Sequence, residues 1–128
     1  MNQEEAAGPP PADAAAAAAA ATAAAAAEAA RLDAIEKRQD EAEEILYYLE
    51  RAILPVVDTI TTARMADEFA QRVDDTIARL GKCHTFLRRR DRANHEADLG
   101  PRIEEASANL GDILVRLTQL RATETEEF

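Results

Sequence analysis

Two adjacent residues, Cys83 and His84, supply the one thiol and one of the two imidazoles of the chain. Thiolate and imidazole are common zinc ligands and common catalytic groups. Successive side chains on a helix point about 100° apart, so this pair cannot easily share one metal ion. His84 continues the row of Ala70 and Ile77, which favours a histidine at the edge of a helix seam. His95 lies in a polar stretch and is expected to be solvated, so we predict no metal site and no cofactor.

Pairs of adjacent acidic residues could suggest general acid–base catalysis. They are Glu43-Glu44, Asp74-Asp75 and Glu104-Glu105. Neighbours along a helix do not face each other, and no Ser/His/Asp ordering, phosphate-binding glycine loop or HExxH-like motif accompanies them. We therefore expect solvated helix faces here and no enzymatic activity.

Positive charge is concentrated between residues 82 and 92 of a chain whose formal net charge is −10. The basic patch consists of Lys82, Arg88, Arg89, Arg90 and Arg92. Cations stabilise a helix C-terminus, and such a cluster also fits a nuclear-localisation signal, a dock for an acidic protein, or a contact with nucleic acid or anionic lipid. Single-stranded nucleic-acid binding usually adds several stacking aromatics, and Phe86 is alone here. Nucleic acid is therefore an unfavoured partner, and any membrane contact is expected to be peripheral.

Composition indicates one small helical domain with no catalytic or secretory character. The chain has 128 residues, 4% aromatics, no tryptophan and one cysteine, which excludes an internal disulfide. Glu4 and Glu5 stand where a signal peptide would carry basic residues, and no stretch offers about 20 strongly apolar residues for a membrane span. We expect a cytoplasmic or nuclear protein, neither secreted nor transmembrane.

The chain divides by composition into three parts. Residues 1–27 form an Ala/Pro-rich, low-complexity arm that is predicted to be disordered, although the propensity of alanine allows Ala14–Ala27 to extend the first helix backward. Residues 28–122 form the predicted helical domain. Residues 123–128 are predicted to be an acidic, frayed tail.

The first helix is predicted from about Glu28 to Leu54 on a heptad repeat. Positions a are Leu32, Gln39, Leu46 and Ile53, and positions d are Ile35, Ala42, Leu49 and Val56. Apolar residues every 3.5 positions are typical of helices wound on other helices. The residues proposed to contact a partner helix are Leu46, Tyr47, Tyr48, Leu49 and Ile53. A local core with tyrosine hydroxyls at the surface remains the alternative.

Two further helices follow a predicted break. Pro55 and the β-branched stretch after it favour a kink or short connection over residues 55–62. The second helix is predicted over about residues 62–90, a polar loop over 91–100 and the third helix over 101–122. The seam of the third helix is Ile103, Leu110, Ile113, Leu117 and Leu120.

These patterns predict an all-α protein, an antiparallel three-helix bundle or an elongated coiled-coil hairpin. The favoured function is a non-catalytic subunit that binds the helices of other subunits in a larger intracellular assembly. The alternative is a self-contained adaptor that docks an acidic partner on the Lys82–Arg92 patch. The heptads Leu32–Leu49 and Ile103–Leu120 are similar in general style to those of small helical subunits of Mediator, organelle-biogenesis and cytoskeletal complexes. This likeness identifies no family and transfers no site.

Overall fold

Helix-favouring residues dominate the chain, and helix is the regular structure that they form. The computed structural model describes residues 11–126, with side chains over 12–122, and no strand is present within that range. The predicted all-α class is confirmed. The chain divides into two units, Met1–Ala34 and Ile35–Phe128. Over the described range, no helix has both the length and the apolar character to cross a membrane.

Helix α1 spans Pro11–Tyr48 and includes the alanine tract. Residues 11–27, predicted to be disordered, are helical here because alanine has the highest helix propensity of all residues. Residues 1–10 of the predicted arm lie outside the described residues. The side chains of residues 12–33 are all exposed, and Leu32, expected at a seam, is 52% exposed. In this first unit, Arg31 donates to Glu28 at 2.7 Å.

The connection predicted over residues 55–62 is present but shorter, because the chain stays helical through Val57 and the next helix begins at Ala63. A π-helical segment, Leu49–Ile53, follows α1, and α2 spans Leu54–Val57. The Leu54 N–H donates to the carbonyl of Leu49, five residues back. This wider turn adds one residue, so the buried position moves from the predicted Val56 to Val57.

Helix α3 spans Ala63–Arg90, close to its predicted limits. Thr62 has extended backbone angles, and its side-chain oxygen accepts a hydrogen bond from the Met65 N–H at 3.1 Å, which caps the first turn. The helix ends at Asp91, whose N–H donates to the Leu87 carbonyl at 2.8 Å.

The polar loop predicted over residues 91–100 is wrong, because most of it is helical. Helix α4 spans Arg92–Ala97, and α5 spans Leu99–Glu126. Asp91 precedes α4: its carbonyl accepts from the His95 N–H at 2.9 Å, and its carboxylate accepts from the side-chain amide of Asn94 at 3.0 Å. Helix α5 begins at Leu99, two residues before Pro101. Pro101 lies in the first turn of the helix, where an N–H group is not needed for a hydrogen bond within the helix. The predicted frayed tail overlaps α5 over residues 123–126.

One apolar core joins the three long helices within the Ile35–Phe128 unit. Its fully buried members include Ala42, Ile53, Ala66, Val73, Leu80, Leu87 and Leu110. Two side-chain contacts show how α3 and α5 are oriented. Arg121 lies 2.9 Å from Asp67, whereas His84 lies 3.8 Å from Glu104, so α3 and α5 run in opposite directions.

Candidate protein-interaction surfaces

The five residues proposed as a partner contact on the first helix are divided between core and surface. Leu46, Leu49 and Ile53 are buried in the core of this chain, at 9%, 4% and 0% exposure. Tyr47 and Tyr48 are exposed, at 58% and 38%. The aliphatic half of the predicted contact therefore packs within the chain, and the aromatic half faces outward.

The seam of the third helix is also used within the chain. Ile103, Leu110, Ile113 and Leu117 are buried, and Leu120 is partly buried against the same core. Burying an aliphatic side chain of this size contributes about 1.5–3 kcal/mol relative to leaving it exposed. The seam positions thus serve the fold itself, and the surfaces available to a partner are built from the flanking positions.

One such surface is a groove between the end of α1 and α5, called the α1–α5 groove below. Two adjoining hollows, of about 400 Å³ and 190 Å³, share Leu46, Glu50 and Arg102 among the residues that line them. The groove is completed by Tyr47, Leu49 and Leu54 on one side and by Glu105, Ala106 and Asn109 on the other. The apolar side chains of Leu46, Leu49 and Leu54 form its floor, and its rim carries Glu43, Glu44, Glu50 and Glu105.

An ion pair holds one end of the α1–α5 groove. The Arg102 guanidinium donates to both carboxylate oxygens of Glu43, at 2.7 Å and 2.9 Å, and also lies 3.7 Å from Asp98. The hydrogen bonds from Arg102 lower the pKa of the Glu43 carboxyl. Arg102 is thus engaged with acids of its own chain, which leaves the rim of the groove acidic overall.

The predicted basic patch lies on the exposed end of α3 and on α4. Lys82, Arg88, Arg89, Arg90 and Arg92 are all exposed. Arg92 pairs with Glu96 at 2.9 Å, one turn further along α4. The patch therefore contains arginines that contact residues of the same chain and cations that line an open surface.

A second groove, called the Phe86 groove, runs along α3 beside α1 and has a volume of about 570 Å³. Its floor is Ala78, Gly81 and Thr85, and its walls are Arg38, Lys82, Phe86, Arg89 and Arg90. The guanidinium carbons of Arg38 and Arg90 lie 5.3 Å and 5.4 Å from the centroid of the Phe86 ring, within cation–π range. The groove gathers three of the five predicted patch residues and adds Arg38, which the sequence did not single out.

A pair of histidines joins α3 and α4 and does not line this groove. The Nδ1 of His84 lies 2.8 Å from the Nε2 of His95, and His95 is 2% exposed, so its predicted solvation is wrong. Burial, followed by the charge of His84, lowers the pKa of His95. The carbonyl of His95 lies 2.8 Å from the position that a Cβ on Gly100 would take, so only glycine allows α5 to begin this close to α4.

Cys83 is fully buried, and burial raises the pKa of its thiol. Among the side chains that the structure describes, no group of three or more His, Cys, Asp or Glu residues could hold a metal ion. Thiols react as thiolates, so an enclosed thiol with a raised pKa is a poor nucleophile. Cys83 acts as a small apolar side chain in the core.

Arg38 and His95 are the residues of these surfaces that sequence reasoning missed or misplaced. Arg38 occupies a position flanking the seam of α1, where a charged residue is expected to be solvated, and nothing in the heptad indicates its contact with Phe86. Within residues 92–97, His95 is the largest residue of a type that tolerates burial. Its presence was the available sequence signal that this segment packs. Comparison of the chain with family profiles, curated proteins and solved structures gives no match in any of the three.

Proposed function

We propose that this chain is a non-catalytic helical subunit that binds a helix of a partner protein in the α1–α5 groove. The observation that carries the proposal is an open groove with an apolar floor and an acidic rim, at the end of α1 where Tyr47 is 58% exposed. Exposed apolar surface bordered by polar residues is typical of protein interaction sites, and tyrosine is enriched in them.

The single core shared by the helices supports this location. Ion pairs connect α1 to α5 through Glu43 and Arg102, and the turn after α2 to α5 through Asp58 and Arg116. We infer that the three long helices form a closed bundle and not an open hairpin, because their seams share one set of buried residues. A partner helix would then pack on the outside of the bundle and would not replace one of its helices.

The chemistry of the groove defines the partner. The apolar floor of Leu46, Leu49 and Leu54 requires an apolar ridge with side chains spaced three and four residues apart. The acidic rim requires lysine or arginine beside that ridge. The expected occupant is therefore a basic amphipathic helix of another protein.

The binding of a labelled basic amphipathic peptide tests the proposal. A suitable probe has about 18 residues, with leucines on one stripe and lysines on both flanks, and spans roughly 27 Å as a helix. Tyr47→Asp and Leu54→Asp in the full chain introduce charge onto the floor and edge of the groove. Each is expected to weaken binding by at least about tenfold, equivalent to roughly 1.4 kcal/mol.

Val115→Asp is the matched control, because Val115 is 57% exposed and does not line the groove. All three variants should retain the thermal unfolding transition of the parent chain by circular dichroism, since the substituted residues are exposed. If Tyr47→Asp and Leu54→Asp bind the peptide as tightly as Val115→Asp does, the α1–α5 groove is not the partner site.

A further inference from the structure

The floor of the Phe86 groove consists of small residues in the middle of a long helix. A Cβ built on Gly81 meets no atom within 4 Å, so packing inside the chain does not require glycine there. Ala78 and Thr85, one turn on either side, are also small and exposed. Glycine within a helix costs about 1 kcal/mol relative to alanine. The result is a trough about two turns long in which the backbone of another segment can approach α3 closely.

The walls of the trough carry positive charge that remains available to a ligand. Neither Lys82 nor Arg89 forms an ion pair within 4 Å among the described residues. Arg38 pairs with Glu41 at 2.9 Å, and Arg38 and Arg90 both lie over the Phe86 ring. The aromatic ring thus holds two guanidinium groups at the wall, while the two remaining cations project beside the floor.

We propose that the Phe86 groove binds an acidic segment of a partner protein, with its small residues on the floor and its carboxylates on the walls. Charge complementarity commits the groove to this occupant: a concentration of cations on a chain of net charge −10 focuses a positive potential locally. Nucleic acid fits less well, because the rest of the chain repels phosphate and the Phe86 ring is already covered by guanidinium groups. This inference is independent of the α1–α5 groove.

Titration with an acidic peptide tests the proposal directly. The probe is a labelled, helix-favouring peptide of about 15 residues, roughly 22 Å long as a helix, with glutamates along both edges of an alanine stripe. Its control has glutamine in place of every glutamate. The full chain is expected to bind the glutamate peptide, more weakly as salt is added, and to bind the glutamine peptide at least about tenfold more weakly.

Substitutions at Gly81 separate the shape of the groove from its charge. Gly81→Gln fills the floor without changing the charge and without a clash at the Cβ position, so it should weaken binding of the glutamate peptide about tenfold. Gly81→Ala controls for helix propensity. Gly111→Gln is the matched control, because Gly111 is another helical glycine with no atom within 4 Å of its Cβ position and is outside the groove.

A pair of arginine variants tests whether the location of the charge matters. Arg89→Gln should weaken binding several-fold more than Arg64→Gln, which removes the same charge from a 90% exposed side chain at the opposite end of α3. The proposal is overturned if both arginine variants act equally, if Gly81→Gln binds as Gly111→Gln does, or if the glutamate peptide does not bind. Tighter binding of a single-stranded oligonucleotide than of the peptide would also overturn it.

Discussion

The two grooves of the Ile35–Phe128 unit differ in the sign of their charge and in the residues that form their floors. The α1–α5 groove has an aliphatic floor and an acidic rim, whereas the Phe86 groove has a floor of small residues and basic walls. Both lie over the same core, and that core uses most of the seam positions of the heptads. The comparison teaches that a heptad repeat indicates what the chain buries, while the flanking residues decide what its surface can bind.

Removing a core side chain should damage both grooves together and produce the largest effect. Leu110 is fully buried, and Leu110→Ala is expected to lower the free energy of unfolding by about 2–5 kcal/mol. Urea unfolding followed by circular dichroism measures the change. Val115→Ala, at a 57% exposed position of the same helix, should change stability by no more than about 0.5 kcal/mol. Equal effects of the two substitutions would show that the seams are not buried.

Glycine substitutions should act in opposite directions at Gly81, on the floor of the Phe86 groove, and at Gly100, beside His95. Gly100→Ala places a Cβ 2.8 Å from the backbone carbonyl of His95 and should destabilise the chain by about 1–3 kcal/mol. Gly81→Ala meets no atom and should stabilise it by up to about 1 kcal/mol. Thermal unfolding of both variants measures whether each substitution raises or lowers the stability of the chain. Stabilisation by Gly100→Ala would contradict the tight contact between α4 and α5.

Acidification should destabilise the fold around the contact between His84 and His95. His95 has a lowered pKa in the folded chain, because burial and the charges of His84 and Arg88 disfavour its cation, although Asp91 and Glu96 oppose this. The unfolded chain therefore takes up the proton first. Stability is retained above pH 6.5, the ordinary value for histidine, and falls as the pH drops below it toward the folded pKa.

The slope should reach at most about 1.4 kcal/mol per pH unit for one proton. Urea midpoints across this pH range measure it, and His95→Gln should flatten the curve. Identical pH dependence in the parent chain and in His95→Gln would mean that another group is responsible.

The smallest expected effect is at the rim of the α1–α5 groove. Glu43 and Arg102 are each about half exposed, at 50% and 46%, so their pair is screened by solvent. Glu43→Gln should cost only about 0.2–1 kcal/mol. Because the pKa of Glu43 is lowered, this contribution is present above pH 4.5 and is lost as the pH falls through the folded value. A double-mutant cycle with Arg102→Gln measures the coupling, and a value above about 2 kcal/mol would contradict a solvent-screened pair.

The apolar periodicity predicted the helices and most of the core because a buried stripe requires little besides spacing. Ile103, Leu110, Ile113 and Leu117 are buried as the 3.5-residue repeat requires. The repeat failed where backbone geometry changed. The π-helical segment Leu49–Ile53 adds one residue to a turn and transfers burial from Val56 to Val57, and a pattern of residue types contains no signal of such a turn.

The surfaces were less predictable than the core because they depend on contacts between distant helices. The basic patch was evident from composition, but the stacking of Arg38 on Phe86 joins residues 48 positions apart that no local pattern connects. The segment between α3 and α5 was predicted to be a loop because its residues are polar. The burial of His95 shows instead that this segment is packed within the fold. Whether Tyr47 and Tyr48 contact a partner remains a prediction.

The most direct test of two oppositely charged grooves over one core is amide chemical-shift mapping of the full chain with the two peptides in turn. The basic amphipathic peptide should shift residues 46–54 and 102–109, and the glutamate peptide should shift residues 78–90. Buried seam residues such as Leu110 should move little with either peptide. Shifts of the same residues by both peptides, or large shifts throughout the seams, would contradict the account.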